Sequence, residues 1–151
     1  MFIIYVDADA CPVKDDVCRI AARHDWQVYF VSNNRLNIPV DQNVHKVQVG
    51  SELDAADNWI VERIAIGDIV ITTDILLADR CLKKNAHSIS PTGKVFHDNN
   101  IGAAKAMREL RTYLRETGLA PSYNTSFSKK KRSAFLQALE EVVQLIKKSL
   151  K

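Results

Sequence analysis

The chain has 151 residues, 46% of them hydrophobic and 26% charged, with a formal net charge of +3. That is the make-up of a globular protein with material for one core, so a disordered, fibrous or disulfide-stapled chain is excluded and one compact domain is the default. No apolar run approaches the roughly 18 residues of a membrane span, and the opening residues lack the basic start of a secretory signal. The 3 cysteines show no C-x-x-C spacing, so the expected address is the cytoplasm, without a membrane partner. The net charge hides an asymmetry: residues 1–100 hold 10 Lys/Arg against 14 Asp/Glu, and residues 101–151 hold 11 against 4. An acidic first part and a basic last part suit a metal-binding cleft beside a surface for polyanions. A basic helical tail that serves solubility is the alternative.

Residues 2–6, an apolar and β-branched run, read as a buried parallel strand, and Pro12 is placed to open a helix over 12–24. Between the two stand Asp7 and Asp9, at the carboxyl end of the first strand, where open α/β sheets hold their ligands. Two carboxylates facing one space at about 4 Å repel by about 4 kcal/mol at an effective dielectric near 20. A bound Mg²⁺ or Mn²⁺, which takes oxygen ligands, turns that repulsion into binding. The plainer alternative has one carboxylate capping the helix and the other solvated. Cys11 is expected to pack rather than react, because anionic neighbours raise a thiol's pKa.

Residues 28–31 form a second strand, closed by the turn-like Ser32-Asn33-Asn34, and 44–49 a third of edge type. A helix follows over 54–65. Asp54 suits its start. Asp57 shares a helical stripe with Ile60, Val61 and Ile64, and a carboxylate on a buried stripe needs a partner; it is a candidate functional residue. Residues 68–72 read as a central strand, and Asp74 repeats the opening logic of strand, carboxylate, helix (75–84). It suits a cap and a metal ligand alike, with the Thr72 and Thr73 hydroxyls close by. Asp79, four residues before Lys83, is expected in an exposed ion pair.

A short fifth strand at 87–90 precedes the turn Pro91-Thr92-Gly93. Helices are expected over 101–117 and 131–150, joined by a linker-like stretch from Gly118 to Ser128. This order predicts a three-layer α/β sandwich with a mostly parallel central sheet, plus C-terminal helices. Lys105, Arg108, Arg111 and Arg115 lie on one stripe of the fourth helix, as nucleic-acid grips or as a solvated face. Lys129, Lys130, Lys131 and Arg132 stand at a helix start against the macrodipole, which a polyanion contact explains; a basic turn is the alternative. Tyr123 and Phe127 nearby suit stacking on the bases of single-stranded RNA. Phe135, Leu136, Leu139, Val142, Val143, Ile146 and Leu150 form an apolar stripe that packs on the domain or joins a homodimer. His24, His45, His87 and His97 show no metal spacing and receive no role.

Three segments carry a family resemblance: Asp7-Ala8-Asp9-Ala10-Cys11-Pro12-Val13, Ala56-Asp57-Asn58-Trp59-Ile60 and Thr72-Thr73-Asp74-Ile75-Leu76-Leu77-Ala78. They resemble the YaiI/YqxD family of bacterial proteins, over nearly the whole chain. Pro91-Thr92-Gly93 and residues 127–135 match later family segments. The family is similar to the PIN-like nuclease fold, whose 5′-nuclease relatives carry an Ala-Asp-Asp helix motif and a Thr-x-Asp strand end. The resemblance implies a single PIN-like domain over 1–151, with 129–151 as a basic C-terminal helix packed on it. It also implies a Mg²⁺ or Mn²⁺ site of Asp7, Asp57 and Asp74, with Asp9 beside it. Three positions depart from the pattern: Asn58 replaces the second Asp of the helix motif, Leu76 a usual Pro, and Lys131 an acid.

The function expected from these residues is metal-dependent phosphodiester hydrolysis with Asp7, Asp9, Asp57 and Asp74 as the catalytic set, RNA being the expected substrate. One alternative is a non-catalytic nucleic-acid- or protein-binding module on the same fold. Another is a haloacid-dehalogenase-type phosphatase with Asp7 as nucleophile and Asp9 as general acid/base, where Ser32, Asp74 and Asp79 fill further positions. Against the phosphatase, a helix opening at Pro12 leaves no room for the loop those enzymes insert there.

Overall fold

The computed structural model describes residues 2–118 and 127–149. Among them, β1 (Ile3–Asp7), β2 (Gln27–Ser32), β3 (Val44–Gln48), β4 (Ile69–Ile71), β5 (His87–Ile89) and β6 (Val95–Phe96) form one sheet, in the order β3-β2-β1-β4-β5-β6. All neighbours pair in parallel except β6, which runs antiparallel to β5. The helices are α1 (Lys14–His24), α2 (Ala55–Arg63), α3 (Ile75–Leu82), α4 (Asp98–Glu116) and α5 (Lys129–Ser149). The expected α/β architecture is therefore present, with helices on both faces.

Strand alternation assigns the layers. Ile4, Val6, Val28, Phe30 and Ile71 face Val17 and Ile20 of α1 and Phe135, Leu139 and Val143 of α5. Tyr5, Val31 and Val70 face the opposite way, onto Ile60 of α2 and Leu77 and Cys81 of α3. α4 lies outside α3, through Ile101 and Ala104 against Ala78. The α5 stripe packs on the sheet, as one of its two expected roles requires; Leu150, like Tyr123, lies outside the described residues. No helix among the described residues is long and apolar enough to cross a membrane.

The chain lays down β1, β2 and β3 outward in one direction, then crosses back and lays down β4 and β5 in the other. β1 and β4 are thus neighbours whose chains leave toward opposite sides, which opens a crevice at their carboxyl ends. Asp7 ends β1, and Thr72 to Asp74 follow β4. The topology, more than any single residue, locates the site.

Two local expectations are corrected. Pro12 does not open α1: Ala8–Ala10 form a 3-10 turn directly after β1, Pro12 sits in the next turn, and the helix starts at Lys14. The first helical bond runs from the Val17 N–H to the Val13 carbonyl. Asp79 is not an exposed partner of Lys83 but a buried carboxylate that also receives Lys105 of α4, both ammonium groups standing at 3.1 Å. The helical spacing allowed for Lys83 alone, since Lys105 reaches it through tertiary packing. β6 and the 3-10 turn, of two and three residues, are too short for a periodic signal.

Candidate functional site

Thr72 is the joint of the crevice. Its hydroxyl, buried at the end of β4, donates to Asp7 Oδ2 at 2.9 Å and accepts the Asp74 N–H at 2.9 Å. Asp74 in turn caps α3, its Oδ1 accepting from the N–H groups of Leu76 (2.9 Å) and Leu77 (3.4 Å). One carboxylate oxygen therefore fixes the helix, and the residue stays half-exposed toward the crevice. Burial raises the pKa of Asp7, the Thr72 hydroxyl lowers it, and the charges of Asp74 and Asp9 raise it again. The net shift is upward.

Asp57 arrives from α2, on the turn before the buried Ile60 and Ile64. Its carboxyl is pushed up to about 7, by burial first and then by the charges of Asp74 and Asp7. Like charges nearby disfavour ionisation, so the acidic neighbours of Asp57 favour its protonated form. Asp54, expected at the helix start, does stand there, but in the left-handed region (φ 64°) and without a side-chain capping bond.

Asp9 is held differently. It accepts hydrogen bonds from the Ser32 hydroxyl, the Asn33 N–H at 3.2 Å and the Asn34 side-chain amide at 3.3 Å. Burial raises its pKa, but these donors and nearby Lys14 outweigh it, so Asp9 stays ionised to lower pH than a free Asp. Neither Asp7 nor Asp9 caps a helix with its side chain. The Ser-Asn-Asn bracket, apart from Ser32 as a phosphatase candidate, carried no assigned role in the sequence. Its signal was a run of polar donors just past β2, at the same sheet edge as Asp7. Cys11 is buried, and burial pushes its thiol up, as packing rather than reactivity requires.

Oxygen-only donors are the chemistry that Mg²⁺ and Mn²⁺ accept, and the raised pKa values of Asp7 and Asp57 are what carboxylates show when a countercharge is wanting. Among the described residues, however, no three His, Cys, Asp or Glu side chains are already gathered around one point. The acidic groups are close enough to shift one another and would have to turn to share an ion.

The basic residues fall into two kinds. α4 starts beside Leu82 and Ala86, at the amino edge of the sheet, and its Lys105 reaches Asp79 midway along α3. It therefore climbs toward the carboxyl edge, and at 1.5 Å per residue Arg108, Arg111 and Arg115 stand about 5, 9 and 15 Å beyond Lys105. All three are exposed. Lys105 itself is held by Asp79. On the opposite face, the Arg132 guanidinium lies 2.7 Å from the fully buried Asp16 at the start of α1, and also over the Phe127 ring. Arg132 ties α5 to α1, whereas Lys129 and Lys130 are exposed and Lys131 half-buried at the same edge.

Known proteins match this sequence over nearly its whole length. A family model described as "Uncharacterized BCR, YaiI/YqxD family" matches residues 5–145. The chain is similar to a UPF0178 protein of Agrobacterium fabrum, at 51% identity over 96% of this chain and 95% of the relative. A UPF0178 protein of Rhizobium etli is 50% identical, over 96% of this chain and 94% of the relative, and one of Rhodospirillum rubrum is 48% identical, over 96% and 97%. No solved structure matches. With the crevice-forming segments all inside the matched span, the chain belongs to the YaiI/YqxD (UPF0178) family.

Proposed function

We propose that this protein hydrolyses phosphodiester bonds in nucleic acid, RNA before DNA, at a PIN-like acidic centre of Asp7, Asp57 and Asp74 that takes Mg²⁺ or Mn²⁺. The observation that carries the proposal is the placement of Asp7, Asp57 and Asp74 near one another at the sheet's reversal point, with the pKa values of Asp7 and Asp57 both raised and with exposed cations of α4 and α5 on either side of the same edge. A divalent ion bound there would activate water and offset phosphate charge. Asp74, fixed by the α3 amides and by Thr72, supplies the rigid ligand. Asp7 is oriented by Thr72. Asp57, whose proton burial and acidic neighbours retain, would give it up to bind the ion. Asp9, ionised and locked by its bracket, stands as a further carboxylate near Asp7 and is suited to orient or deprotonate a water. Arg108, Arg111 and Arg115 with Lys129 to Lys131 are the strand grip.

The test is Mn²⁺- and Mg²⁺-dependent cleavage of single-stranded RNA by the wild type and by Asp7→Asn. The variant keeps an oxygen for the Thr72 hydroxyl, so it should fold and lose cleavage. A specific observation favours a second reading, a binding module: the carboxylates are not pre-assembled among the described residues. Wild-type protein that binds RNA but cuts neither RNA nor DNA with either metal would establish the module and end the nuclease proposal. A phosphatase is disfavoured, because Ser32 is engaged by Asp9 and Asp79 by two lysines.

A further inference from the structure

A pocket of about 420 Å³ opens between the segment after β2 and the outer edge of β3, lined by Asn34, Arg35, Leu36, Lys46, Val47 and Gln48. Its volume is within the range of small-molecule sites. Its lining is mixed in a way that specifies a ligand. Leu36 and Val47 are half-buried and supply its apolar lining at the sheet edge, Leu36 packing on one face of the sheet and Val47 on the other. Lys46 and Gln48 alternate onto the same side of β3 and are exposed, as are Asn34 and Arg35. Two cations, two carboxamides and two apolar side chains match a nucleotide: charge for its phosphate, amides for the donor and acceptor edge of a base, and apolar contact for its ring.

The pocket is also connected to the acidic crevice. Asn34 lines it and at the same time donates its side-chain amide to Asp9 at 3.3 Å, while its N–H donates to Ser32 Oγ at 2.9 Å. In the sheet, Asp7 pairs in register with Val31, and Val31 with Val47. Two strand spacings of about 4.8 Å put the pocket's Val47 about 10 Å from Asp7. β3 is the edge strand, so nothing in the sheet covers this side.

We propose that this pocket binds the nucleotide next to the scissile phosphate of a single-stranded nucleic acid. The proposal rests on the reading of the crevice as a phosphodiester site for its position in the strand, but not for its occupancy. A strand crossing the carboxyl edge from the α4 cations toward β3 passes the carboxylates first and the pocket second. A duplex would not fit, since a base seated in the pocket must be unpaired. The Asn34 link makes the bracket around Asp9 responsive to whether the pocket is filled.

The experiment uses the full chain in EDTA, a fluorescein-labelled single-stranded RNA octamer, and Arg35→Glu, with Lys46→Ala as a second variant. Arg35 is exposed, so reversing its charge should leave the fold intact, as the thermal transition will report; Lys46→Ala removes only the bond to the Leu36 carbonyl. Arg35→Glu should weaken octamer binding at least tenfold, while Mn²⁺ affinity, measured separately without EDTA, stays within twofold of wild type. In ¹⁵N–¹H spectra, uridine or adenosine monophosphate should shift the side-chain amides of Asn34 and Gln48, and inorganic phosphate at equal concentration should not. Octamer binding unchanged in both folded variants, or amides that do not move, would overturn the pocket. So would phosphate acting as well as the nucleotide, which would leave a bare anion site. If the pocket behaves as proposed and wild-type protein still cleaves nothing with Mn²⁺ or Mg²⁺, the hydrolase reading fails and the nucleotide site stands.

Discussion

Asp57→Asn is the substitution that most directly probes the crevice. In the folded protein the Asp57 carboxyl is pushed up to about 7, chiefly by burial and then by Asp74 and Asp7, against about 3.9 for an unfolded Asp. A carboxyl whose folded value exceeds its unfolded one stabilises the fold below the unfolded value, and that contribution is lost as pH rises through the folded one. The relevant window is therefore about pH 4 to 7. Converted in full, the difference amounts to about 4 kcal/mol. Asp57 is only half-buried, and solvent and salt screening reduce the figure to about 1–2 kcal/mol.

An amide at 57 carries no charge and can donate to Asp74. Without metal at pH 8, Asp57→Asn should therefore be more stable than wild type by about 1–2 kcal/mol, or about 3–6 °C in Tm for a chain of this size. Near pH 4 the advantage should vanish, because the wild-type carboxyl is then neutral as well. Saturating Mn²⁺ should raise the wild-type Tm more than the variant's and reverse their order, since an ion that binds the folded state stabilises it by mass action. The assay is thermal or urea unfolding at three pH values, with and without Mn²⁺. A variant less stable than wild type at pH 8, by a margin that does not change with pH, would refute the electrostatic account and leave Asp57 as a packing residue.

Arg132→Ala should cost about 2–3 kcal/mol in urea unfolding, because the fully buried Asp16 loses one of its two guanidinium partners. The triple change of Lys129, Lys130 and Lys131 to Ser should alter stability by less than about 0.5 kcal/mol. It should lower the slope of log K against log salt for single-stranded RNA by about 0.7 per lost phosphate contact. Gly93→Ala should destabilise by about 2 kcal/mol or more. The residue has φ +95°, and an added Cβ would stand 2.7 Å from the Ala134 carbonyl carbon, so α5 would have to shift; loss of α5 packing would appear in denaturant midpoints.

The framework was readable because it rests on periodicity and on chain order. β1 and β4 are apolar runs ending in carboxylates, α5 is an apolar stripe, and the alternation of strands and helices requires a parallel sheet covered on both faces. Boundaries were less readable where a short-range rule met a competing one. Pro12 suits a helix start, but the 3-10 turn after β1 consumes the residues on which a helix would have begun, and Pro12 is left in the turn. β6 offers two residues and exists because β5 presents an open edge to them.

Charges were harder to read than apolar residues, because a charged side chain's role depends on what faces it across the fold. Lys105 shares a helical stripe with Arg108, Arg111 and Arg115, yet only Lys105 meets a buried acid, and only because α4 climbs along α3. Arg132 ends a run of four cations, yet the approach of α5 to α1 sets it on Asp16 and so separates it from its three neighbours. The acidic residues divide by the same rule. Asp16 and Asp79 are paired with cations, and Asp68 with the backbone N–H groups of Ile3 and Ala65. Asp7, Asp57 and Asp74 lie near one another, and the crevice offers them a hydroxyl and two helix amides in place of a cation. A fold that pairs its buried carboxylates, and leaves these half-buried ones together at its reversal point, concentrates negative charge where an external cation can reach it.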